Sequence, residues 1–164
     1  MQTTDSAADP TPPDCFRLEE LWAFQAYEAQ VLLDVNYYLW LNNTDTDAGP
    51  YRFLYAIELI FEQGGALLLS SGEDTAAIRV IPAETLIQTA RDLQALHGQV
   101  CIQRVHAGPF PLWQLALGHP LKGIRLSNNG AGLYLNDALA LDFGQWQIMV
   151  QLSKTEGLEM EGFR

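Results

Sequence analysis

Cysteine and basic residues are both scarce in this chain of 164 residues. The two cysteines, Cys15 and Cys101, belong to no CxxC pair and no Cys/His framework, which argues against a disulfide scaffold and against a zinc site. Lys and Arg number 9 against 20 Asp and Glu, so the formal net charge is −11. Because this excess of carboxylates repels phosphates and anionic lipids, we expect neither nucleic acid nor membrane as a partner.

Long hydrophobic runs are also missing. No stretch of about 18 apolar residues could span a bilayer, and the first residues have neither a basic segment nor an apolar one, as a signal peptide would. We therefore expect a cytoplasmic protein whose two thiols are free.

The familiar cofactor and catalytic motifs are absent as well. The chain contains no GxGxxG before a helix, no P-loop, no GxSxG and no HExxH. Paired glycines fall where turns are expected. No cofactor is therefore predicted.

Hydrophobic residues, in contrast, are plentiful at 48%, with 18% charged, which is a globular composition. Residues 1–14 are small, acidic and rich in proline, and we predict a disordered leader there. Residues 15–164 are expected to form one domain, because each half alone would enclose only a small core.

Hydrophobic periodicity predicts an α+β fold, with mostly antiparallel, β-rich meander sheets packed by two or three helices. Helices are expected over 15–29, 82–97 and 111–118, and strands over 31–42, 51–62, 66–71, 76–81, 100–106, 121–127, 133–143 and 146–151, with a weak last strand after them. In the first helix, Leu18, Leu21, Trp22, Ala26 and Ala29 are expected to face the core. In the last hairpin, a two-residue turn places Leu141 opposite Ile148.

The strands over 31–42 and 51–62 alternate apolar and polar residues and should form a long hairpin. A register with Leu41 opposite Tyr51 brings their apolar faces together. It also places Asp34 opposite Glu58 on the polar face.

Two carboxylates opposite each other repel unless something intervenes. A shared proton would make Asp34 and Glu58 an acid/base pair. A cation, or a Lys or Arg side chain, could instead lie between them. A two-residue register shift would place Asn36 opposite Glu58 and remove the effect, and a solvated sheet face, which is the most typical case, would screen both charges.

The hairpin loop carries Asn43, Asp45 and Asp47 at alternate positions, as calcium loops do. Counted from Asn43, however, Ala48 and Leu54 stand where an EF-hand loop needs glycine and glutamate. We therefore interpret the segment as a turn, and these three residues are only weak metal candidates.

Aromatic residues are the remaining candidates for a binding surface. Trp40 lies on the polar face and, in the same register, pairs with Arg52, as in a cation–π contact. Phe110 and Trp113 lie in a proline-flanked segment, where an exposed tryptophan would anchor an interface and a buried one would hold the loop.

Three functions are compatible with these patterns. The leading hypothesis is a non-enzymatic module that contacts another protein or a second copy of itself, supported by the aromatic strands and the lack of catalytic motifs. The second is a small-molecule carrier or sensor with a pocket on the concave face of a sheet. The third is a hydrolase or isomerase that uses Asp34 and Glu58.

Overall fold

The computed structural model describes residues 10–42, 51–72, 75–97 and 100–164. In chain order the elements are α1 (Leu18–Ala26), β1 (Leu32–Asn42), β2 (Tyr51–Phe61), β3 (Ala66–Ser70), β4 (Arg79–Val80), α2 (Ala83–His97), β5 (Val100–His106), α3 (Pro111–Gln114), β6 (Gly123–Arg125), β7 (Ala138–Asp142), β8 (Gln147–Leu152) and β9 (Leu158–Phe163). The first and third helices are shorter than the sequence predicts. None of the described helices has the length and apolar character needed to cross a bilayer.

The strands form two antiparallel sheets, which confirms the predicted α+β class. The larger sheet has the order β4-β3-β2-β1-β5 and the smaller one the order β6-β7-β8-β9. Every strand pairing within them is antiparallel. Such sheets follow from short connections between alternating segments, because an antiparallel neighbour needs only a tight turn.

Both faces of the larger sheet are buried over part of their area. The three consecutive leucines of β3 demonstrate this, because Leu67 and Leu69 belong to one hydrophobic cluster and Leu68 to another. The large cluster also contains Ile148 and Val150 of the smaller sheet. The small cluster lies on the opposite face and includes Leu86 of α2, hence that helix covers part of this face.

The smaller sheet is tied to the larger one at a backbone contact. The N–H of Leu54 donates to the carbonyl of Glu156 at 2.9 Å, and Leu54 forms an isolated bridge with Gly157. Gly157 has a φ of +83°, and a Cβ there would collide with the backbone of Leu54. Only glycine fits this close approach.

Helix α1 presents a different side to the core than the sequence predicts. Its buried residues are Glu20 and Phe24, and Phe24 packs edge-on against Phe16 with ring centroids 5.1 Å apart. Of the apolar residues expected in the core, only Leu21 is half-buried; the others are exposed, namely Leu18, Trp22, Ala26 and Ala29. The buried side of the helix is thus the one that carries Phe24 and Glu20, whose ion-pair partner is Arg79.

The ion pair of Glu20 explains how a carboxylate can lie in the core. Its Oε1 is 2.7 Å from Nη1 of Arg79, and its Oε2 accepts a hydrogen bond from the backbone N–H of Val80 at 2.9 Å. Oε1 also accepts from the N–H of Arg17 at 2.9 Å, at the start of the helix. A buried charge is tolerated only when it is paired and hydrogen-bonded in this way.

The segment before α1 packs against the folded chain from Pro13 onward. The carbonyl of Pro13 accepts hydrogen bonds from Arg79 and Asn136, and that of Asp14 accepts one from the N–H of Asn136. Cys15 is buried, and burial, followed by the negative charge of Asp14, raises the pKa of its thiol.

The register predicted for the first hairpin is wrong. Near the loop Leu41 lies opposite Arg52, and farther along Asn36 lies opposite Glu58. The pairing shifts between Tyr38 and Leu39, where Tyr55 of β2 is an extra residue. A bulge of this kind reverses the alternation of side chains beyond it.

The consequence is that the large apolar residues of β2 divide between the two faces of the sheet. Ile57, Leu59 and Phe61 lie in the large cluster, whereas Phe53 and Tyr55 lie in the small one. A second irregularity between Leu32 and Asp34 turns Leu32 inward and leaves Leu33 exposed. Strict alternation back from the buried Val35 would instead turn Leu33 inward and Leu32 outward.

The pairing predicted for the last hairpin is confirmed. Leu141 lies opposite Ile148, and Leu139 lies opposite Val150. Gly144 has a φ of +91°, as its two-residue turn requires.

Candidate functional site

The candidate site lies on the face of the larger sheet that α2 covers in part, called here the outer face. Along β1, alternation brings Asp34, Asn36, Tyr38 and Trp40 to this face. The neighbouring strand β5 places three residues opposite the last three of these, in the same order: His106, Arg104 and Ile102. Glu58 of β2 lies opposite Asn36 on the other side. Helix α2 packs on the apolar end, and the ionisable groups lie beyond it.

Asp34 pairs with His106 rather than with Glu58. The two carboxylate oxygens lie 2.7 and 2.9 Å from Nε2 of the imidazole, and Oδ1 also accepts the backbone N–H of Val35 at 2.9 Å. A Cβ on Gly108 would collide with that carboxylate, so the glycine makes room for the pair.

The chemistry available to this pair is limited. A carboxylate that holds one imidazole nitrogen is the arrangement that orients a general base. However, the side chains of His106 and Asp34 are 58% and 38% exposed, so water screens their interaction. Among the described residues, the hydrogen-bond partner of the His106 ring is Asp34, and no hydroxyl or thiol is bonded to it.

Glu58 is held by neutral hydrogen-bond donors. Its Oε1 accepts from Nδ2 of Asn36 at 2.9 Å and from the hydroxyl of Tyr38 at 3.1 Å. Burial, and then the charge and hydrogen bond of Glu58, raise the pKa of Tyr38, while Arg104 acts in the opposite direction. Tyr38 therefore stays protonated at neutral pH, and its hydroxyl donates a hydrogen bond to the carboxylate of Glu58. Between Asp34 and Tyr38 the pairing is shifted by two residues from the predicted register, which places Asn36 opposite Glu58.

Beside this polar cluster, a groove of about 330 Å³ separates α2 from the sheet. We call it the α2 groove. Its lining is Tyr38, Glu58, Leu68, Ala83, Leu86, Ile87, Ala90, Ile102 and Arg104. The walls are thus mainly apolar, and Tyr38, Glu58 and Arg104 form a polar end. Apolar walls with a few convergent polar groups are typical of small-molecule sites.

Trp40 lies in the small cluster and not against Arg52. Its indole stacks on Phe53 and Tyr55 with ring centroids 5.0 and 4.9 Å apart, and its strand partner is Phe53. The predicted pairing of Trp40 with Arg52 is therefore wrong. The side chain of Arg52 lies outside the described part of the chain.

Phe110 and Trp113 differ in exposure. Trp113 is fully buried, and its Nε1–H donates to the hydroxyl of Tyr37 at 2.7 Å. A buried Trp113 holds the loop in place and is not available as an interface anchor. Phe110 is partly exposed and contacts the ring of Tyr37 edge-on, with centroids 5.6 Å apart.

The loop residues considered for calcium, Asn43, Asp45 and Asp47, lie outside the described residues. Within the ranges that are described, no group of three His, Cys, Asp or Glu side chains is close enough to hold a metal ion.

Sequence reasoning missed His106 and Arg104 as members of the site. Alternation along β5 places both residues on one face of that strand. The local sequence pattern, however, does not indicate that β5 is the strand beside β1. That strand order brings them next to Asp34 and Tyr38. Searches against protein-family models, curated proteins and solved structures found no match to this chain.

Proposed function

We propose that this protein binds a small amphipathic molecule in the α2 groove, as a carrier or sensor. The observation that carries the proposal is the combination of apolar walls with a polar end made of Tyr38, Glu58 and Arg104. The volume of about 330 Å³ is at the lower end of the range for ligand pockets. A ligand there would add apolar contact to Ile87, a large hydrophobic residue that is otherwise exposed.

The polar end selects the head group of the ligand. Glu58 supplies an acceptor and Arg104 supplies donors, and their opposite charges offset each other. A charged head would meet one like charge, which costs binding energy. A neutral head with both a donor and an acceptor, such as a primary amide, satisfies both residues.

The first prediction compares three probes with the same six-carbon body. Hexanamide is expected to bind more tightly than hexanoate or hexylamine when ¹⁵N-labelled protein is titrated and amide shifts are followed by NMR. Ala90→Phe fills the groove and should weaken hexanamide binding by about tenfold or more, equal to roughly 1.4 kcal/mol.

The matched control is Ala95→Phe, on an exposed position of the same helix outside the groove lining. It should leave the affinity unchanged. Equal affinities for the two variants would refute binding in the groove, whereas tighter binding of hexylamine or hexanoate would refute the choice of head group.

A second candidate, the protein-binding module, is favoured by one observation on α1. Leu18 and Trp22 are 58% and 60% exposed, one helical turn apart, and Ala26 continues the row. We call this row the α1 ridge. Large apolar side chains exposed side by side on a helix are typical of anchors that enter a partner's groove.

The charge of the chain indicates what kind of partner fits the α1 ridge. With a net charge of −11, two copies of the chain repel each other. Near the ridge, Glu19 lies on α1 and Glu28 lies just after its end, and both are exposed. We therefore infer a partner with an apolar groove bordered by Lys or Arg.

The second prediction tests the α1 ridge. Trp22→Ala should abolish capture of a basic protein from lysate of the source cells, identified by mass spectrometry, and leave the melting temperature within about 2 °C. Leu33→Ala removes a leucine outside the ridge that is 52% exposed, and this variant should retain the partner. Loss of capture in both variants, or in neither, would contradict a role for the ridge.

A further inference from the structure

A second cavity, of about 430 Å³, lies on the smaller-sheet side of the molecule, apart from the α2 groove. Its lining is drawn from the segment after α3, from the turn between β7 and β8 and from Arg164. The basic residues in it are His119, Lys122 and Arg164, and the apolar walls come mainly from Leu115, Phe143 and Trp146. We call it the cationic pocket.

The sign of its charge is opposite to that of the chain. No Asp or Glu is among its lining residues, although acidic residues outnumber basic ones by 20 to 9 in the whole sequence. None of the three basic side chains belongs to an ion pair within the described part of the chain. Unpaired positive charge in a concave, partly apolar site attracts anions.

Asp142, which directly precedes the lining residue Phe143, already has a basic partner outside the pocket. Asp142 accepts two hydrogen bonds from Arg125, at 2.9 and 3.2 Å, and one from the N–H of Gly144 at 2.8 Å. Burial raises the pKa of Asp142, but these hydrogen bonds and the charges of Arg125 and Lys122 lower it overall. The direct ion-pair partner of Asp142 is thus Arg125, and among the described residues Lys122 forms no ion pair of its own.

The aromatic wall is held in a defined position. Trp146 donates its Nε1–H to the carbonyl of Leu112 at 2.9 Å. A Cβ on Gly162 would collide with its six-membered ring, so the glycine allows the indole to pack directly on β9. A fixed, half-buried indole offers a flat surface for stacking with an aromatic ligand.

From this geometry we infer that the cationic pocket binds a small organic anion with a flat aromatic body, its acidic group directed to Lys122 and its ring to Trp146. This site goes beyond the proposed function, because it lies elsewhere and selects a ligand with a net negative charge, whereas the α2 groove selects a neutral head group.

The third prediction uses three naphthalene probes with the same ring and a substituent of negative, zero or positive charge: 2-naphthoate, 2-naphthamide and 2-naphthylmethylamine. Titrated into the intact chain by isothermal calorimetry at low salt, the naphthoate should bind at least about threefold more tightly than the amide, as expected for one or more exposed charge pairs. The amine should bind most weakly, and added NaCl should weaken only the naphthoate.

The chain contains two lysines, which provide a matched pair of variants. Lys122→Gln should weaken the naphthoate about threefold or more, and Lys122→Glu should reverse the preference in favour of the amine. Lys154→Gln, at an exposed lysine outside the pocket, should change neither. Equal effects of the two glutamine variants, or equal binding of all three probes, would overturn the inference.

Discussion

Replacing Glu20 with glutamine is expected to lower the free energy of unfolding by about 3 kcal/mol, because it breaks a buried ion pair. The side chains of Glu20 and Arg79 are only 3% and 18% exposed, and their closest atoms are 2.7 Å apart. The substitution leaves the guanidinium of Arg79 partly buried without a counter-charge. It also weakens the link between α1 and β4, because the carboxylate of Glu20 accepts a hydrogen bond from the backbone N–H of Val80.

Urea denaturation followed by circular dichroism measures this change directly. Glu19→Gln is the matched control, because Glu19 is the exposed neighbour on the same helix and should shift the free energy by at most about 0.5 kcal/mol. Adding Arg79→Met to Glu20→Gln removes the unpaired charge and should recover part of the loss. If Glu20→Gln behaves like Glu19→Gln, the buried ion pair does not stabilise the fold.

Trp113→Ala is expected to cost about 3–5 kcal/mol, because it empties the space of a fully buried indole. Trp113 packs in the large hydrophobic cluster and donates to Tyr37 of β1 at 2.7 Å. The substitution thus removes both the packing of the short helix α3 and its link to the larger sheet. Trp113→Phe keeps most of the volume and should cost about 1–3 kcal/mol, largely through the lost hydrogen bond.

Trp22→Ala is the control for this experiment, since it removes the same side chain from a position that is 60% exposed. It should lower the free energy of unfolding by less than about 1 kcal/mol. Similar losses of unfolding free energy for Trp113→Ala and Trp22→Ala would mean that the α1 ridge is covered in solution. That result would also contradict the proposal that the ridge is free to bind a partner protein.

Short-range features of the fold were predictable from the sequence. In the last hairpin, both faces of the strands and the two-residue turn indicate one register, with Leu141 opposite Ile148, and it is confirmed. The position of α2 was predictable for the same reason, because Pro82 precedes its first turn and hydrophobic residues recur at helical spacing along it.

The register of the first hairpin could not be predicted from the sequence. The composition of the candidate site could not be predicted either, because it depends on that register. Strict alternation assumes regular strands, whereas β2 contains an extra residue at Tyr55. Both faces of this hairpin are buried in part, one against the smaller sheet and one against α2. When both faces accept apolar residues, the hydrophobic pattern no longer distinguishes one register from another.

The sequence by itself determined the α+β class, the antiparallel strands and the presence of Asp34, Asn36, Tyr38 and Glu58 on strand positions. Only the tertiary structure decided which groups meet: β5 beside β1 brings His106 to Asp34, and the larger core turns Glu20 inward and Trp22 outward on α1. The physical reason is range. Periodicity and turn chemistry act between near neighbours in the chain, whereas burial and ion pairing depend on which distant segments pack together.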